Sequence, residues 1–162
     1  HLPIQSGNNK ILQAMNRKYT VEHYLELINK LRNYIPNIAI TTDIMTGFPG
    51  ETEEQINMTI DFARKSSLNT AGFFAVTAYP ETELYEMAKQ IGVALPDNFD
   101  TYHYHHNTLN LTNMSLSRLQ SLRKKAYWNF YCHPERIYKI ISMTPRKTDI
   151  LTNLKMHFRD FF

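Results

Sequence analysis

A chain of 162 residues with 43% hydrophobic, 20% charged and 12% aromatic side chains holds enough apolar mass for one domain with a core and too little length for two, which excludes disorder as its main state. No apolar run nears the roughly 18 residues a membrane crossing needs, and the formal charge of +3 is mixed along the chain rather than gathered into the footprint of a dedicated nucleic-acid binder. The single cysteine, Cys132, excludes an internal disulfide or a site built from several thiolates, so a reducing, cytosolic setting and no metal ligands are expected.

Residues Leu2-Pro3-Ile4-Gln5-Ser6 read as the end of a strand, closed by the turn-like Gly7-Asn8-Asn9. Apolar positions at Val21, Tyr24, Leu25, Ile28, Leu31 and Ile35 then follow helical spacing, with Thr20 as N-cap and Pro36 as stop. The β-branched run from Ile38 to Thr46 predicts a largely buried strand that ends in the tight turn Gly47-Phe48-Pro49-Gly50. Thr52 with Gln55 makes a capping box for a helix striped by Ile56, Ile60 and Ala63. Gly72 to Ala78 reads as a third strand, broken by Pro80, and a helix from about Thr82 to Ile91 ends at Gly92.

This alternation predicts an α/β fold with a parallel sheet over residues 1–92. An irregular, aromatic and histidine-rich stretch covers 93–115, and a helical extension with Ser115 as its first cap covers 116–162. A parallel sheet needs cover on both faces or closure into a barrel, so a strand at the very start of the chain predicts missing neighbours upstream. With His1 in place of Met and no secretory leader, the sequence reads as a fragment or a processed product.

Two blocks carry more than fold. His1-Leu2-Pro3-Ile4-Gln5-Ser6-Gly7 with Met15-Asn16-Arg17 and Tyr19-Thr20, and Thr42-Asp43-Ile44 leading into Gly47-Phe48-Pro49-Gly50-Glu51-Thr52, resemble the second half of a radical S-adenosylmethionine (SAM) core domain, in the manner of the methylthiotransferases of tRNA or a ribosomal protein. Tyr79-Pro80-Glu81-Thr82-Glu83-Leu84-Tyr85 resembles the cobalamin-binding radical SAM proteins instead, as does the pattern Met114-Ser115, Ala126-Tyr127, Phe130-Tyr131 and Pro134. The resemblance implies the last three strands of a partial (β/α)6 barrel of the TIM type, with the site at the strands' C-terminal ends.

By the same resemblance, Gln5 and Ser6 become ligands of the SAM ribose, since Gln and Ser can both donate and accept. Gly47, Phe48 and Gly50 form a turn whose backbone approaches the nucleoside closely, as glycine allows. Arg17 is a candidate for the SAM carboxylate, Tyr79 for the adenine face, and Asp43 for a site role, because a carboxylate inside a buried strand is costly unless paired. Each also has a plain structural reading: strand-end turns, a helix cap, a surface cation.

The implied four-iron cluster needs a three-cysteine loop that these residues lack, so its ligands, and any cobalamin, fall outside the chain, which is expected to be inactive alone. The expected parent is a radical SAM enzyme of the cobalamin-associated branch acting on a small-molecule substrate and completed by its N-terminal half. A methylthiotransferase is the alternative, and a non-catalytic binding module the alternative of another class. His103 and His105 lie in a surface or substrate-facing aromatic loop rather than a metal site. Arg118, Arg123, Lys124, Lys125, Arg136 and Lys139, interleaved with Tyr127, Trp128 and Tyr131, could grip RNA, but read better as the wet face of helices that pack through Leu119, Leu122, Ala126 and Phe130.

Overall fold

A computed structural model of the chain describes residues 1–95, 109–143 and 149; the expectations for His103 and His105, and for the tail beyond 143, lie outside these. Among the described residues, six helices and two strands follow in the order α1 (Asn9–Ala14), α2 (Val21–Tyr34), β1 (Thr41–Thr46), α3 (Glu53–Lys65), β2 (Thr70–Ala75), α4 (Glu83–Gln90), α5 (Leu116–Tyr131) and α6 (Pro134–Met143). β1 and β2 pair in parallel, Thr41 opposite Thr70 through Thr46 opposite Ala75. The opening segment lies on the other side of β1, with Gln5 bridged in parallel to Ile44. It is less regular than a strand, because Pro3 has no N–H to give and Gln5 takes a left-handed φ of 74°.

Local chemistry accounts for most boundaries. Thr20 accepts from the His23 N–H at the start of α2, and Thr52 and Gln55 form the reciprocal capping box of α3. The turn expected at Gly7-Asn8-Asn9 is instead a helix start: Asn8 Oδ1 accepts from the N–H groups of Lys10 and Ile11 and launches α1. The strand expected from Ile38 begins at Thr41. The one expected over Gly72–Ala78 runs from Thr70 to Ala75, where its pairing with β1 ends.

Alternation along the strands divides the sheet into two faces. Ile44, Ala71 and Phe73 point into a core shared with Tyr24 and Ile28 of α2, Ile56, Ile60 and Ala63 of α3, and Leu119, Leu122 and Phe130 of α5. Asp43, Met45, Gly72 and Phe74 lie on the opposite, half-exposed face. Asp43 therefore does not sit in a buried interior, as the strand's composition suggested: its odd register turns it away from the helices.

α5 does more than cover that core. The Tyr131 hydroxyl donates to the Ala71 carbonyl (2.9 Å) and accepts from the Ala71 N–H (3.2 Å), while the Tyr127 hydroxyl accepts from the Phe73 N–H (3.3 Å). These groups lie on the side of β2 that faces away from β1, so two phenols close an edge that would otherwise be open. Tyr127, Tyr131 and Arg123 are thus buried, which overturns their expected place on a wet helix face. Tyr131→Phe strands both Ala71 groups without partners and is expected to lower stability by about 1–3 kcal/mol in urea unfolding; an unchanged midpoint would show that the phenol closes nothing.

Candidate functional site

The strand ends gather on one side of the sheet. Gln5 donates its N–H to the Asp43 carbonyl (2.9 Å) and accepts from the Met45 N–H (2.8 Å), and the Val76 N–H reaches the Thr46 carbonyl (3.0 Å). Gln5, the Gly47 turn and the segment leading to Tyr79 therefore follow one another across neighbouring segments. Gln5 is only 7% exposed, and its side-chain Oε1 is buried with no hydrogen-bond partner. An unsatisfied acceptor of this kind is costly and fits a hydroxyl donor brought by a ligand.

The turn after β1 is held from inside. Gly47 and Gly50 adopt φ of 92° and 73°, which glycine takes without strain. Glu51, 2% exposed, folds its carboxylate back under them: Oε2 accepts from the Gly47 N–H (2.8 Å) and the Phe48 N–H (3.2 Å), while Oε1 has no partner. Two N–H donors favour the ionised form and burial opposes it. Burial wins, and the pKa rises to about 7. Among the described residues, a Cβ built on Gly50 would meet nothing within 4 Å, so the turn is open at Gly50.

The remaining candidates are scattered more widely. The Ser6 hydroxyl is fully buried, bonded to Thr59 of α3 (3.2 Å) and to the Asn8 N–H (3.2 Å), so it ties the strand end to a helix. Phe48 packs with Met45 against Val76, Ala78, Ala88, Leu109 and Leu111, a second apolar cluster beyond the tips, and the Gly50 N–H donates to the Leu111 carbonyl (3.3 Å). Arg17 is exposed between α1 and α2, where its charge acts on Tyr19. Tyr79 is 42% exposed.

Asp43 meets His1 across the open face, Oδ2 to Nε2 at 3.2 Å, and His1 Nδ1 lies 2.8 Å from the Thr41 hydroxyl. Partial desolvation raises the Asp43 pKa. Sequence reasoning missed this pair and the role of Glu51. The signal for Glu51 was available: a carboxylate four residues after a glycine turn can reach back to N–H groups that the turn leaves unpaired.

Two hollows accompany these elements. One of about 540 Å³ lies between the starts of α1, α2 and α3, lined among others by Asn9, Glu22, Thr52 and Met58. It is lined by neither Gln5, Gly47 nor Tyr79. A smaller one lies at the far end of α3.

Fit to the implied cofactors divides. Gln5 Oε1 and the glycine turn suit a nucleoside edge. A four-iron cluster does not fit: Cys132 is the lone thiol, exposed at the C-cap of α5, and among the described residues no three His, Cys, Asp or Glu side chains group as metal ligands. No described helix is long and apolar enough to cross a membrane.

Comparison with known proteins bears directly on the two sequence blocks. The family model described as the radical SAM superfamily matches residues 1–63. The resemblance to radical SAM proteins holds. The matched segment takes in α1, α2, β1 and most of α3, with Gln5 and the Gly47 turn inside it. Among curated proteins, the chain is 50% identical over 95 residues to a tRNA-2-methylthio-N(6)-dimethylallyladenosine synthase of Thermoanaerobacter sp., covering 59% of this chain and 20% of that protein. It is 50% identical over 91 residues to the protein of the same name from Alkaliphilus oremlandii (56% and 19%) and 46% identical over 91 residues to that of Clostridium tetani (56% and 20%). The chain spans about a fifth of the length of these relatives.

Proposed function

We propose that this chain supplies part of the S-adenosylmethionine pocket of a radical SAM enzyme that adds a methylthio group to tRNA. The observation that carries the reading is the adjacency of Gln5 and the Gly47 turn at one end of a parallel sheet, within the segment that matches the radical SAM superfamily. The names of the relatives favour the methylthiotransferase alternative. The cobalamin-associated branch, the first expectation from the sequence, has no support in them and is set aside together with its cofactor.

S-adenosylmethionine would supply the radical chemistry when bound, and the iron–sulfur ligands would come from outside these residues. Gln5 accepts from a ribose hydroxyl through its orphaned Oε1. Gly47 and Gly50 let the main chain approach the nucleoside, and Glu51 keeps that turn in shape by holding two of its N–H groups. Tyr79, exposed beyond the end of β2, flanks the base. Ser6 acts through Thr59 as a positioning residue, and Arg17 and Asp43 stand further from this cradle. The hydrogen bonds of Tyr127 and Tyr131 to the outer edge of β2 support a partial barrel in which further strands join beside Leu2–Gln5.

The test uses the complete protein. Hypomodified tRNA incubated with it, S-adenosylmethionine and a reductant is expected to yield methylthio-adenosine in nucleoside mass spectrometry, and Gln5→Ala is expected to weaken S-adenosylmethionine binding about tenfold, the loss of one buried hydrogen bond. Unmodified tRNA together with unchanged affinity in the variant would overturn the reading.

A further inference from the structure

At the end of the sheet opposite the strand tips, α3 finishes on Arg64 and Lys65, and the start of α6 comes alongside. Between them lies a hollow of about 200 Å³ lined by Arg64, Lys65, His133, Glu135, Arg136 and Lys139. Four of these side chains are cations at neutral pH and one is an anion, so the hollow concentrates positive potential. Arg64 also leans on Asp61 at 3.6 Å, an exposed pair of small worth in water.

Arg136 sets this corner apart from an ordinary basic surface. It is 5% exposed, and its guanidinium lies over the Phe130 ring, 3.8 Å from the centre. Its Nη2 donates to the carbonyls of Ala63 (3.3 Å), Arg64 (3.4 Å) and Ser66 (3.0 Å) at the end of α3, where the Ser66 hydroxyl also donates to Ala63 (2.7 Å). Its Nη1 is buried with no partner. Desolvation lowers the pKa to about 10, which still leaves the group charged at neutral pH. The helix end offsets part of that charge. Glu135 beside it in the hollow offsets more, yet the four cations outnumber that one carboxylate and Nη1 keeps no hydrogen-bond partner, so the corner remains a positive centre that suits an anion.

We infer that this corner docks a backbone phosphate of RNA, held over the hollow by Lys65 and Lys139 at its rim with Arg136 fixed behind them. The inference rests on the tRNA reading above and deepens it by naming where the backbone is held. α3 has 13 residues, so the corner lies about 20 Å from the strand tips. An RNA that presents one base at the tips carries a continuous row of phosphates past such a distance, whereas a small anion has no reason to bind so far from the chemistry. Contacts of this kind set orientation and are indifferent to sequence.

The experiment measures tRNA binding to the complete protein by fluorescence anisotropy across a salt series. The double substitution Lys65→Gln and Lys139→Gln is expected to weaken binding about tenfold and to flatten the dependence of log K on log salt by roughly 1–2, with S-adenosylmethionine affinity unchanged. Arg136→Met is expected to weaken tRNA binding as well, but it removes the cap of α3 and lowers the melting temperature, so the lysine pair decides. Tight tRNA binding with the same salt slope in the double variant would overturn the phosphate site while leaving the tRNA reading intact. Absence of tRNA binding by the unsubstituted protein would remove that reading and this inference with it. Saturable binding of inorganic phosphate alone, lost in the double variant while tRNA binding persists, would also overturn it.

Discussion

Gly7→Ala is expected to destabilise the fold by about 2–3 kcal/mol, read as a lower midpoint in urea. A Cβ at this position would stand 2.7 Å from the Phe62 Cβ and 2.8 Å from the Thr59 Cα. The second contact is main chain, so α3 must back away as a unit, and no rotamer change relieves it. The same movement loosens the Gly7 N–H from the Thr59 hydroxyl (3.1 Å) and Ser6 from its partner (3.2 Å), the bonds that seat the strand end on the helix. Gly50→Ala is the informative control. Its Cβ would find open space, and only the left-handed φ of 73° resists it, at about 1 kcal/mol. Gly7 has no left-handed φ, so a loss there no larger than at Gly50 would mean that α3 yields to the added Cβ at little cost.

That comparison also shows which parts of the molecule the sequence discloses. Caps and periodicity are local, so Thr20, Thr52 with Gln55, Ser115 and the stripe of α3 could be read from spacing alone. Gly7 could be read as a turn residue but not as the seat of a helix, because its neighbours Thr59 and Phe62 are more than 50 positions away. The same distance hides Tyr131 and Tyr127. As aromatic residues among lysines and arginines they suggest a nucleic-acid surface, and only the fold brings their hydroxyls to the edge of β2.

The burial expected for Asp43 was misread for a different reason. A β-branched run gives the presence of a strand but not which face is covered, and in a sheet covered by helices on one side the parity of the position decides. At the candidate site, the sequence blocks picked out Gln5 and the Gly47 turn. What makes Gln5 informative is its unpaired Oε1, and only coordinates show that.

Between pH 4.5 and 7 the protein is expected to lose on the order of 3 kcal/mol of stability through Glu51 alone. The sign follows from the direction of the shift. The folded carboxyl has its pKa raised to about 7 from an ordinary 4.5, so the folded state holds its proton over a range in which the unfolded chain has released it. The stabilisation is complete below pH 4.5, fades as pH rises, and is gone above 7. Glu51→Gln keeps an oxygen for the Gly47 and Phe48 N–H groups and removes the titration. Urea unfolding of both proteins at half-unit steps from pH 4.5 to 8 isolates the effect, because every other titrating group is common to the two. The difference in stability is expected to favour the natural residue most at the acid end and to shrink steadily towards pH 7. The turn is the same one proposed to meet the nucleoside, so S-adenosylmethionine affinity in the complete protein should follow a similar course, weakening as Glu51 ionises and its desolvated charge disfavours the folded turn. A stability difference that stays constant across this range would mean that Glu51 is already ionised at pH 5, with its two N–H donors outweighing burial.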